Sequence, residues 1–110
     1  MTKRNFPGEF EQMLLLCIAQ LGEQAYVIEI RRMLGETANR SVTRGALYRT
    51  LDRLEKKGLV TWEVIEPAAE RGGHPKRRFR LTEQAVEVLR TSRDVLQRLW
   101  RGLDMVLGRP

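Results

Sequence analysis

Two short alternating stretches, separated by a long basic loop, narrow the folds open to this chain. Val60, Trp62 and Val64 alternate with Thr61 and Glu63, which predicts a strand with one buried side. A second strand is expected at about Arg77 to Leu81, with Phe79 and Leu81 inward and Arg78 and Arg80 outward. Between them, Glu66-Pro-Ala-Ala-Glu-Arg-Gly-Gly-His-Pro-Lys76 is too long for a tight hairpin turn. It predicts a projecting loop around Gly72-Gly73.

Everything before the first strand has helical periodicity. From Glu9, the apolar residues Phe10, Met13, Leu14, Ile18 and Leu21 recur at three and four, and Gly22 ends the pattern. In a second helix Tyr26, Ile30, Met33 and Leu34 share a face, and Gly35 to Arg40 is polar and turn-like. Ser41 or Thr43 can cap a third helix, with Leu47, Leu51 and Leu54 inward and Lys57-Gly58 as its stop. At about 100° per residue, Gly45, Arg49, Asp52 and Lys56 fall on the opposite face, with Arg53 beside it. After the hairpin, Thr82 caps a last helix. Its apolar positions Ala85, Val86, Leu89, Leu96, Leu99, Trp100, Leu103, Val106 and Leu107 form one continuous seam. Helix, helix, helix, strand, basic loop, strand is the order of a winged helix-turn-helix. The expected fold is therefore mainly α with a small β-hairpin, in which residues 1–81 form a DNA-binding domain; a winged helix has no need of so long an apolar seam for its own core, so residues 82–110 are expected to be a C-terminal dimerisation helix.

Charge points the same way. The chain of 110 residues has 20 Lys and Arg against 14 Asp and Glu, and residues 41–81 alone hold ten basic and five acidic residues. A localised basic excess favours a polyanionic partner, nucleic acid before membrane. No apolar run approaches the roughly 18 residues of a membrane span, so the expected location is the cytoplasm. The last helix has nearly balanced charge, which argues against a membrane-surface role. One Cys and one His cannot supply a structural zinc site, and no carboxylates show metal-loop spacing. No nucleophile can be placed beside His74, so neither catalysis nor a cofactor is expected.

The segments Gly8-Glu-Phe-Glu-Gln, Ala25-Tyr26, Arg44-Gly-Ala-Leu-Tyr-Arg-Thr-Leu-Asp-Arg-Leu54, Lys57-Gly-Leu-Val60 and Glu70-Arg-Gly-Gly-His-Pro-Lys-Arg-Arg-Phe-Arg-Leu-Thr82 resemble the PadR family of bacterial transcriptional regulators over about residues 8–83. That resemblance implies a homodimer joined through the last helix, two recognition helices on a pseudo-palindromic double-stranded operator, and repression relieved by a ligand. It carries DNA contacts onto Thr43, Arg44, Gly45, Tyr48 and Arg49 of the third helix and onto Arg71, Gly72, Gly73, His74, Lys76 and Arg77 of the wing, where phosphate is the expected target. Two departures stand in the wing: His74 takes the place of an Arg or Lys, and Arg78-Phe79 that of a pair of aromatics.

Several residues keep two readings. Arg49, Arg53 and Lys56 are either a solvated face or DNA contacts. Gly45 serves either close approach to phosphate or a tight helix crossing. Tyr48 packs in the core or donates to phosphate, and Cys17 is a buried thiol or a redox sensor. Leu89, Leu96, Leu99, Trp100 and Leu103 are expected at a dimer interface, where Trp100 is either plain core or the wall of a site for a planar apolar effector. The competing function is a winged-helix module that binds an acidic protein rather than DNA.

Overall fold

The computed structural model describes residues 6–67 and 72–108. Three helices come first: α1 (Glu9–Leu21), α2 (Val27–Ala38) and α3 (Arg44–Lys56), with a 3₁₀ turn, Gly22–Gln24, after α1. Glu9 and Glu11 in the first turn of α1 complement the helix dipole. Gly22, at φ +56°, ends it by returning its N–H to the Ile18 carbonyl. α2 runs through Gly35 to Ala38, where a turn was expected. No proline interrupts that stretch, and the buried Leu34 anchors it, so the helix continues until Asn39 takes a left-handed φ of 53°. Thr43 caps α3, its Oγ1 accepting from the Ala46 N–H at 3.1 Å. Leu47, Leu51 and Leu54 are buried as their spacing requires.

Strands β1 (Val60–Ile65) and β2 (Lys76–Leu81) pair antiparallel in the register Val60–Leu81, Trp62–Phe79 and Val64–Arg77. β2 is also tied to the chain ahead of α2. The Phe79 N–H donates to the Ala25 carbonyl at 2.9 Å, and Tyr26 forms a single β-bridge with Arg78. The alternation in β1 correctly divides its two faces, but the burial expected of it is wrong. Val60 is 1% exposed, whereas Trp62 is 36% and Val64 50% exposed. Only the base of the hairpin, at Val60 and Phe79, lies over the helical core; farther out the same face leaves that cover.

α4 (Glu83–Trp100) begins at Thr82, whose Oγ1 accepts from the Ala85 N–H and donates to the Gly58 carbonyl at 2.7 Å. Its first half leans on the winged helix: Ala85 is buried, Val88 and Leu89 pack against the core, and the Ser92 hydroxyl donates to Gln12 Oε1. The single continuous seam expected to Leu107 is interrupted. Arg101 leaves helical geometry, Gly102 turns at φ +78°, and a one-turn helix α5 (Asp104–Leu107) follows. Glycine supplies that left-handed turn without a Cβ clash. Among the described residues no helix is long and apolar enough to cross a membrane.

Candidate nucleic-acid interface

The exposed side of α3 starts with a glycine in open space. Only the Arg49 guanidinium, 3.5 Å away, comes near the position a Gly45 Cβ would take, so no helix crossing explains the residue. Arg44 and Arg49 flank it, both exposed, and among the described residues Arg49 and Lys56 have no ion-pair partner. Thr43 stands at the same end, its hydroxyl oxygen occupied as the cap. Tyr48 is half-buried against the core, and its ring supports two guanidiniums, Arg44 and Arg77, each 5.9 Å from the centroid.

Arg53 stands apart from that group. Its Nε donates to Glu11 Oε2 at 3.1 Å, and Lys57 Nζ donates to both oxygens of the same carboxylate at 2.9 and 3.2 Å. Glu11 is buried at 8% exposure. Burial is the largest single influence on its carboxyl and pushes the pKa up, but Lys57 and Arg53 together outweigh it and hold the group below its ordinary value. Arg53 therefore ties α3 to α1. Glu11 gave no sign of this in the sequence, where an acidic residue in a first helical turn reads as solvated.

On the wing, Gly72 is in the left-handed region at φ +61°, and a Cβ placed on Gly73 would come within 3.5 Å of the Pro67 side chain. His74 is exposed, and Arg71 lies outside the described residues. Lys76 Nζ lies 5.7 Å from the Tyr26 ring centroid, and Arg77 lies 4.3 Å from that of Trp62. Arg78 and Arg80 both donate to Glu63 Oε2 at 2.9 Å. The hydrogen bond from Arg78 chiefly lowers the Glu63 pKa and, reciprocally, raises that of Arg78. These two arginines are thus matched on the wing itself. Between wing and α3 opens a cleft of about 610 Å³, lined by Tyr26, Arg44, Tyr48, His74, Lys76 and Arg77, with Glu29 and Asp52 as its carboxylates.

The expected dimer residues are largely uncovered: Leu99 is 68%, Trp100 57%, Leu96 45% and Leu103 36% exposed, while Leu89 is partly taken up by the core. Cys17 is 7% exposed and burial pushes its thiol pKa up, which disfavours the reactive thiolate and supports the structural reading. Among the described residues no three His, Cys, Asp or Glu side chains are grouped to hold a metal ion.

Known structures share this architecture. A PadR family transcriptional regulator from Eggerthella lenta DSM 2243 superposes with a TM-score of 0.65 at 25% identity, covering 93% of this chain and 88% of that one. A PadR-like transcription factor from Bacteroides fragilis superposes with a TM-score of 0.65 at 26% identity, covering 88% and 92%. A PadR family transcription regulator from Clostridium difficile R20291, at 19% identity and a TM-score of 0.65, shares the fold over 90% of this chain and 99% of its own. No protein of curated function matches the sequence. The family model for PadR-like transcriptional regulators matches residues 15–91. With its winged helix, basic third helix and basic wing, the chain belongs to the PadR-like family of transcriptional regulators, whose members are DNA-binding regulators and not enzymes.

Proposed function

We propose that two copies of this chain form a repressor of the cytoplasm that binds a pseudo-palindromic duplex, with residues 1–81 as the DNA-binding unit and residues 82–110 joining the copies. The observation that carries this reading is the surface at the start of α3, where the open Gly45 backbone lies between exposed Arg44 and Arg49. A phosphate can approach that backbone closely, and the guanidiniums can reach base edges or flanking phosphates. Thr43, Tyr48 and Arg53 border the surface, while Gly72, Gly73, His74 and Lys76 carry it onto the wing. Such a patch uses a duplex most effectively when doubled, with two recognition helices about 34 Å apart on one face of the helix. The bare strip of Leu96, Leu99, Trp100 and Leu103 supplies the surface for doubling, since a stretch of this kind left open favours association.

Retention of duplexes from a random-sequence pool tests the reading. The expected result is a two-fold symmetric consensus, with affinity that falls steeply as salt rises. Retention of none, or of duplexes without shared sequence, refutes it. A planar apolar effector between paired α4 helices is the corresponding release mechanism: it would favour a spacing of the two halves that mismatches the groove repeat. Its reporter is quenching of Trp100 by a panel of aromatic and cationic dyes, abolished in Trp100→Ala and accompanied by duplex release. Dyes that quench without releasing duplex would refute it.

A further inference from the structure

The wing is braced against α3 at two points. Trp62 Nε1 donates to Glu55 Oε1 at 3.2 Å, Arg77 lies 4.3 Å over the Trp62 ring, and the same guanidinium lies 5.9 Å from the Tyr48 ring. A circuit thus leaves α3 at Glu55, crosses β1 and β2, and returns to α3 at Tyr48, two turns or about 10 Å along the helix axis. The register permits it: Val64 pairs with Arg77 and Trp62 with Phe79, so Trp62 and Arg77 are diagonal neighbours on one face of the hairpin. Beyond Val60 and Phe79 that face has left the apolar core, and the circuit takes over where core packing stops.

We propose that Arg77 is a positioning residue, stacked between Trp62 and Tyr48 to hold the wing at a set angle to the recognition helix so that both meet the same duplex. This rests on the DNA-binding reading and departs from the expectation that Arg77 is one more phosphate contact. Among the basic residues of β2, Arg78 and Arg80 are matched by Glu63, which leaves Lys76 as the strand's cation for phosphate. A guanidinium suits the positioning role because its plane stacks on an aromatic face, whereas an ammonium is a strongly hydrated point charge.

The test uses the full chain carrying Trp100→Phe, whose own duplex affinity is the reference and whose one remaining tryptophan is Trp62. Arg77→Lys retains the charge and removes the plane; Trp62→Leu removes the platform, together with its hydrogen bond to Glu55, and leaves the net charge unchanged. Each is expected to weaken the duplex selected by the parent by about threefold or more with the salt slope unchanged, and the double variant to be no weaker than the weaker single one. In the DNA-free protein Arg77→Lys should also make Trp62 more accessible to acrylamide. Trp62 is 36% exposed and Arg77 is a surface residue, so both variants are expected to fold, which circular dichroism checks. Parental affinity in either single variant, or a double variant weakened by the product of the two singles, overturns the positioning role. A wild-type chain that retains no duplex overturns the DNA-binding reading instead.

Discussion

Replacing Glu11 by Gln should weaken the seam between α1 and α3 while barely changing shape. The carboxylate accepts three hydrogen bonds from two cations and is 8% exposed. Hydrogen bonds to a charged group contribute about 1.5–3 kcal/mol each when well buried. Here the donors' side chains are 56% and 48% exposed, so solvent screens the attraction and both cations can rehydrate once the charge is gone. A total loss of about 2 kcal/mol is expected, or roughly 8 °C in Tm for a domain of this size. The dependence on pH separates ionic from packing effects. Because the folded carboxyl has a pKa below its ordinary value of 4.5, its contribution is fully present above the unfolded value and disappears as pH falls through the folded one. The gap between wild type and Glu11→Gln should therefore be full at pH 7 and shrink progressively below about pH 4.5. Urea melts at one fixed protein concentration, stepped from pH 7 to about pH 3, measure it. Equal stability at pH 7, or a deficit that persists unchanged into acid, refutes the ion-pair account.

Arg49→Ala should weaken the selected duplex about tenfold with little change in Tm, whereas Arg53→Ala should lower Tm and affect binding less; gel-shift titrations beside thermal melts distinguish the two. Leu99→Glu places a charge on the open strip of α4 and should convert a dimer into a monomer at micromolar concentration, read by light scattering; an unchanged mass refutes the interface. Lys76→Ala should weaken selected and random duplexes alike and reduce the salt slope by about one, and a loss confined to the selected duplex contradicts a phosphate contact.

Much of this fold is legible because local rules and tertiary packing agree. Leu47, Leu51 and Leu54 share a stripe that must be buried, and Thr43 and Thr82 stand where two helices need a hydroxyl cap; each proves buried or bonded as its position demands. The misses have a common physical origin. Alternation in β1 tells which face Trp62 and Val64 share but not how far the core extends beneath them. Their exposure depends on where α3 ends relative to the hairpin, a distance no period encodes. The run of apolar residues across Gly102 similarly hides the break after Trp100, since a seam of suitable residues says nothing about whether the backbone between them stays helical.

The basic surface shows most sharply what a linear reading omits. Counting places ten basic residues within 41–81, all equally available on paper. Folding then sorts them. Arg53 and Lys57 converge on Glu11 from 42 and 46 positions away, and Arg78 and Arg80 meet Glu63 across the hairpin. Each of those four cations approaches a phosphate already partly satisfied, so it gains less by releasing a counterion there than an unmatched one does. Arg77 is held between aromatic rings, and its cost of leaving them opposes a move toward DNA. Within 41–81, Arg44, Arg49, Lys56 and Lys76, like Arg77, have no ion-pair partner among the described residues, and Arg44, Arg49 and Lys76 gather around the open glycine and the cleft beside the wing. Two carboxylates, Glu11 and Glu63, thus account for the four matched cations of this stretch. Neither is itself part of the proposed DNA surface, yet each draws two cations into ion pairs at or beyond its border.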